Sequence, residues 1–349
     1  MDLRSFLVYS SFLLISTLLA FISQSCKNKI NSIAFLIFTY SFIVIFWSLR
    51  YGIGFDYDSY IEISKEIRKG YDSYTEPIYH FASLLFPFDG GEFFTISFMS
   101  AITYFFLILF LYKNNILWQG IFFSIVLQFQ FMASNQIRQA LAITVFLLVL
   151  KYIEEKKYKI WIPILILNVL LCHTSAFVLF LLIPIAQKIK LSNNKWMIII
   201  LILYFLQLIG TFKSLGNILL TSLPVPENYL HFIHSDRVLA EDVGFSPTTF
   251  FYVLTTIYIL KYYNPTNRII LNLFLIGLCM YVVFIEYHLI QRLSMYCFYI
   301  IIYVISKYCV NSKQYGINIV LASTIFYLFL ITRETNLHGV IPYNSLFDR

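Results

Sequence analysis

Chemistry is concentrated in a few short runs of this chain. The segment Arg50-Tyr51-Gly52-Ile53-Gly54-Phe55-Asp56-Tyr57-Asp58-Ser59-Tyr60 sets an arginine, two glycines and two acids where an apolar stretch ends. Arginine grips phosphate or carboxylate bidentately, glycine lets a backbone bend close to a ligand, and a carboxylate can take a proton. A solvated turn with an interfacial arginine is the plainer account, because glycines and acids are ordinary turn residues. Asp56-Tyr57-Asp58 imitates the metal-binding D-x-D of nucleotide-sugar transferases. That spacing arises readily by chance, and no nucleotide-binding domain accompanies it.

Glu76-Pro77-Ile78-Tyr79 opens a short apolar helix, with proline suited to the first helical position and glutamate beside the positive end of the helix dipole. Helix-start chemistry alone would explain it. Asn135-Gln136-Ile137-Arg138-Gln139 enters an apolar run, and helical spacing would put Asn135, Arg138 and Ala142 on one face. Such polar density at membrane depth points to function. His173 stands with Thr174 and Ser175 between two apolar runs, where the hydroxyls can cap the next helix and the imidazole can titrate near neutrality. Glu286, His288 and Arg292 form a last cluster, with His288 and Arg292 one helical turn apart and Glu286 able to orient either.

The elements that must position these residues are membrane helices. Of 349 residues, 59% are hydrophobic and 12% charged, and the mean hydropathy is +0.76. A soluble chain carries about a quarter of its residues as charges, so a soluble enzyme, a DNA-binding protein and a secreted module are all excluded. Apolar windows fall at 6–24, 31–49, 92–112, 116–134, 139–153, 160–172, 174–187, 196–212, 248–263, 268–286, 289–306 and 315–332. These predict an all-α polytopic integral membrane protein with about 12 crossings. The stretch from Ile78 to Phe88 is too short to span and reads as a re-entrant or surface helix.

Lysines sort into alternate loops, at Lys27 and Lys29, Lys113, Lys151 to Lys159, Lys188 to Lys195, Lys261, and Lys307 with Lys313. The positive-inside rule makes those loops cytoplasmic. The opposite side then receives both termini and the loops near 50–77 and 213–247, with nearly every acid. Arginine departs from this sorting. Eight of nine arginines (Arg4, Arg50, Arg68, Arg138, Arg237, Arg292, Arg333 and Arg349) fall on the outer side or in the outer half of a span. An arginine inside a helix costs about 2.5 to 3.5 kcal/mol on insertion scales, so something outside requires fixed positive charge.

The net charge of +7 accompanies no nucleic-acid-binding motif, and no nucleic-acid partner is expected. Cys26, Cys172, Cys279, Cys297 and Cys309 lack metal-ligand spacing and read as small core residues. Ser23-Gln24-Ser25-Cys26 lacks the small-residue run of a lipoprotein cleavage site, so the first apolar window is expected to remain as a span. No repeat or soluble domain is evident, which predicts one membrane domain over 1–349. The long loop at 213–247 is a candidate for ligand recognition.

The order of these motifs resembles the EpsG-like family of Wzy-type polysaccharide polymerases. The likeness runs through Arg50 to Tyr60, Glu76-Pro77, Ile137-Arg138-Gln139, Lys151 to Lys157, His173-Thr174-Ser175-Ala176, Arg292 and Pro342-Tyr343. The resemblance implies a GT-C-type glycosyltransferase in the bacterial inner membrane with its active site facing the periplasm or exterior. Such an enzyme joins undecaprenyl-diphosphate-linked oligosaccharide repeats into O-antigen, capsule or exopolysaccharide. It implies diphosphate binding by Arg50, Arg138 and Arg292, and a general base among Asp56, Glu76 and His173. Tyr60, Gln139, Glu286, His288 and Tyr343 would complete the substrate site. Cofactor and metal are not implied, since the lipid-linked donor carries its own activation. Partners are that lipid-linked oligosaccharide and membrane lipid, with room for a chain-length regulator.

Two other readings fit the same residues. A flippase or transporter of lipid-linked glycan would use buried arginines along a central path, whereas the charges here gather at outer ends. An outer-face acyltransferase or ligase could use His173 beside hydroxyl residues.

Overall fold

A computed structural model describes residues 2–71, 75–215, 244–265, 267–332 and 339–348, without the side chains of His288, Leu289 and Lys313. Most of the 213–247 loop, Arg237, Arg333, Arg349 and the side chain of His288 therefore lie outside the described residues. The all-α expectation holds: among the described residues the elements are helices, with one isolated antiparallel bridge between Arg50 and Ser345.

The first compact unit comprises 1–177 and 302–349, the second 178–301. In the first, α1 (Leu3–Ser25) and α2 (Lys29–Ser48) begin at Asp2 and Asn28, whose side chains accept from backbone N–H groups of the first turn. Two short helices follow, α3 (Tyr57–Arg68) and α4 (Pro77–Leu85), and both pack on α5 (Gly91–Lys113). α6 (Leu117–Val126) and α7 (Phe129–Asn135) form one apolar run bent by 62°. Gln128 lies at the bend with φ of 64°. α8 (Ile137–Glu154) packs along α5, and α9 (Tyr158–Leu167) runs into a π-helical turn, Asn168–Cys172, and a 3-10 turn, Thr174–Phe177.

The second unit holds α10 (Val178–Lys188), α11 (Asn193–Leu208), α12 (Pro247–Tyr262), α13 (Ile269–Val283) and α14 (His288–Phe298). α13 and α14 approach so closely that a Cβ on Gly277 would stand 2.4 Å from the backbone N of Phe298. Glycine is what lets two membrane helices meet backbone to backbone. α15 (Ile301–Asn311) and α16 (Lys313–Thr332) lead back into the first unit, where α16 packs on α1 and α6.

All twelve apolar windows are helical. Five stretches, Leu3–Ser25, Lys29–Ser48, Gly91–Lys113, Ile290–Asn311 and Gln314–Thr332, are long and apolar enough to cross a membrane, or six if the bent α6–α7 pair is one span. The other windows lie in helices of 18 residues or fewer. Leu14, Phe38, Ile45 and Ile325 on the long helices are exposed, as lipid-facing positions require. Inside the first unit an aromatic cluster fills the space between α1, α2 and α7. Phe12 and Phe46 stack at 4.0 Å, and Tyr9 meets Phe131 edge-on at 5.1 Å.

Candidate active site

Glu76 is the residue around which the first unit arranges its charges. It occupies the N-cap of α4, with Pro77 at the first helical position as the sequence predicts, yet its side chain makes no capping hydrogen bond. Helix-start chemistry therefore does not account for its carboxylate. One oxygen, Oε2, accepts from Arg138 Nη1, and the other, Oε1, pairs with His173 Nδ1. The residue is 9% exposed, and a buried carboxylate persists only when both oxygens are paired. Burial pushes the Glu76 carboxyl up, but the hydrogen bond from His173 and the charge of Arg138 outweigh it, holding the pKa below the usual value. Glu76 is thus ionised near neutrality.

That ionisation fixes the imidazole. A carboxylate can only accept, so Nδ1 of His173 carries the hydrogen directed at Oε1, and an uncharged ring then presents Nε2 as an acceptor. The π-helical turn delivers this residue: His173 N donates to Asn168 O at 3.1 Å across the wide turn, and Asn168 Nδ2 is anchored on Ala142 O of α8 at 2.9 Å. Single π turns recur at functional sites because they shift one residue out of the α-helical register.

Arg138 begins α8 and lies over two phenol rings, 5.7 Å from the Tyr60 centroid and 5.9 Å from that of Tyr79. Tyr79 is buried and donates through its hydroxyl to Tyr60 O at 2.7 Å, which ties α4 to α3. The Nε of Arg138 is buried and has no hydrogen-bond partner. Sequence spacing placed Asn135 and Arg138 on one helical face; the structure corrects this. The helix breaks at Gln136, with φ of −111° and ψ of 60°, so Asn135 ends α7 and Arg138 starts α8. Asn135 instead turns its Oδ1 to the backbone N of Phe55 at 2.5 Å.

That hydrogen bond shapes the glycine loop. Gly54 has φ of +102°, and a Cβ there would lie 3.1 Å from both Asn135 Oδ1 and Ser134 O. The loop leads back to Arg50, which is 2% exposed and 6.0 Å from the Trp47 ring. Its Nε and Nη2 are buried without hydrogen-bond partners. Burial pushes its pKa down, with the phenols of Tyr104, Tyr57, Tyr60 and Tyr9 acting the other way. Arginine nevertheless keeps its proton in proteins, so the unit holds a buried positive charge with open donors. Tyr60 acts electrostatically on both Arg50 and Arg138.

The other sequence candidates fall as follows. Asp56 is the N-cap position of α3 without a side-chain capping bond, and its carbonyl accepts from Tyr60 N at 3.1 Å. Gln139 is buried in the first turn of α8. Tyr343 is clamped in the aromatic cluster, stacked on Phe46 at 5.3 Å and edge-on to Tyr9 at 5.7 Å. Glu286, buried, and Arg292, on α14, belong to the second unit. Tyr79 has no role on sequence grounds alone; its place three residues after Glu76, on the same side of a helix, is the signal that points to it. The segment from Gly339 to Asp348 was also unforeseen as a clasp on the Arg50 turn. Gly54 N donates to Gly339 O at 2.9 Å, Tyr51 N to Asn344 O at 3.1 Å, and Leu346 N to Leu49 O at 2.8 Å.

Arg50, Glu76, Arg138 and His173 all lie within 33–345, the stretch matched by the family model described as the EpsG family. No curated protein and no solved structure matches the chain.

Proposed function

The chain belongs to the EpsG family, a polysaccharide polymerase-like family of membrane proteins, and on that premise we propose that it joins lipid-diphosphate-linked oligosaccharide repeats on the outer face of the bacterial inner membrane. The reading rests above all on Glu76, shared between Arg138 and His173. An acceptor sugar hydroxyl gives its proton to His173 Nε2 while its oxygen attacks the anomeric carbon of the donor. Glu76 holds the imidazole in the required tautomer and stabilises the imidazolium that forms. The bond to the lipid diphosphate breaks, and the departing anion is met by arginine. Arg138, which is partly exposed, meets it directly, Arg50 adds charge from its buried position, and the low dielectric around them strengthens both. Asp56 then serves the fold of the loop.

The test is deletion of the gene in its host, with surface glycan and lipid-linked precursors resolved at single-repeat length. Loss of long chains with one repeat retained is the expected outcome. Full-length chains with an altered substituent would make the protein a modifying transferase, and precursor trapped on the inner face would make it a flippase.

A further inference from the structure

Arg268 is the one arginine of nine that falls among the lysine-bearing loops, and the second unit builds a cradle for it. Its Nη2 donates to Asn193 Oδ1 at 2.6 Å and its Nη1 to Asn264 Oδ1 at 3.0 Å. Both acceptors are neutral amides. Its Nε is buried with no partner, as is Nε2 of Gln187 in the last turn of α10. Asn193 in turn donates to Leu260 O at 2.6 Å and Tyr263 O at 2.8 Å. Asn272 donates to Ala186 O and Ile189 O, each at 3.0 Å. These bonds pin the end of α10, the start of α11, the end of α12 and the start of α13 together.

The same four helix ends carry Lys188, Lys190, Lys195 and Lys261, all exposed. The sequence has no aspartate or glutamate between 156 and 226 or between 243 and 285. Five cations thus fall on these four helix ends with no acid in the chain segments that carry them, around a guanidinium held by amides that cannot neutralise it. Exposed apolar side chains stand beside this end, Ile185 on α10 and Ile198 and Leu201 on α11, where an acyl chain would run alongside a bound headgroup.

We propose that this end of the second unit is a binding site for the phosphate of an anionic lipid headgroup, with Arg268 as its fixed ligand and the four lysines as flexible reinforcement. A guanidinium with its planar donors held in place suits phosphate, and lysines near a membrane surface add attraction for anionic lipid. The site stands independently of the polymerase reading, since it uses none of the residues assigned to catalysis.

The test is native mass spectrometry of the purified full chain equilibrated with phosphatidylglycerol or phosphatidylcholine. Wild type retains phosphatidylglycerol preferentially, Arg268→Gln weakens that retention about fivefold, and Arg268→Lys keeps most of it. If Arg268→Gln fails to fold, the combined alanine variant of Lys188, Lys190, Lys195 and Lys261 decides, and loss of the preference is again expected. Equal retention of the two lipids by wild type would overturn the site. So would unchanged retention in the deciding variant, or an equal loss on removing Lys159, an exposed lysine of the other unit. Displacement of bound lipid by excess inorganic phosphate would assign the cradle to a soluble anion and overturn the lipid proposal.

Discussion

Glu76 illustrates how one buried carboxylate can set the chemistry of its neighbours. It neutralises part of Arg138, fixes the tautomer of His173 and remains charged because both partners favour its ionised form. Replacing it by glutamine puts an amide where the carboxylate was, and an N–H turned toward Nδ1 would move the imidazole hydrogen to Nε2. Polymer synthesis in Glu76→Gln should fall by at least about 100-fold, as it should in His173→Ala, measured with lipid-linked repeats in membranes containing equal protein. The pH dependence separates their roles. The folded-state pKa of Glu76 lies below its ordinary 4.5, so its contribution to stability is complete above that value and is lost as pH falls through the lowered one. Near neutrality it does not change. The thermal midpoint of wild type should therefore approach that of Glu76→Gln only as pH falls below about 4.5, and a difference between the two that is already lost near neutrality would remove Glu76 as the ionised partner.

Helix breaks, more than helices, bring the catalytic candidates together. The bend at Gln128 and the π turn before His173 fall inside apolar windows, and the break at Gln136 falls where helical spacing carries one face from Asn135 to Ala142. Hydrophobic windows located the helical stretches correctly because burial in lipid depends on composition averaged over many residues. They could not locate the breaks, because a break depends on single tertiary contacts such as Asn135 Oδ1 reaching across to Phe55 N. Asn135→Ala removes that acceptor and leaves a backbone N–H without its partner, at a cost of about 1 to 3 kcal/mol. Gly54→Ala adds both backbone strain and a tight contact at the same point. Both should lower the thermal midpoint of the purified protein and reduce polymer together. Gly277→Ala is the counterpart in the second unit. Its Cβ meets the Phe298 backbone, which cannot yield as a side chain can, and a loss of about 1 to 3 kcal/mol from overpacking is expected in the same melting assay.

Across the whole molecule, charge placement carries information that no single motif does. The runs that include Arg50, Glu76, Arg138 and His173 were each readable in the sequence as polar interruptions of apolar chain, but their convergence was not. Glu76 and His173, which meet in the fold, are 97 residues apart along the chain. The division of lysine from arginine, by contrast, needs no tertiary contact to be seen, because it reflects the bilayer as a common reference for every loop. It predicts that the loop containing Asp58 and the loop containing Lys190 face opposite sides. Both residues are exposed, so a cysteine at either position in a variant lacking the five native cysteines would be open to reagent from its own side. A membrane-impermeant maleimide added to intact cells should label Asp58→Cys, while Lys190→Cys should react only after the membrane is permeabilised. The reverse pattern would put the Glu76 site on the cytoplasmic face, where a polymerase of exported lipid-linked repeats could not use it. Labelling of both sites in intact cells would mean that the lysine sorting does not report topology in this protein.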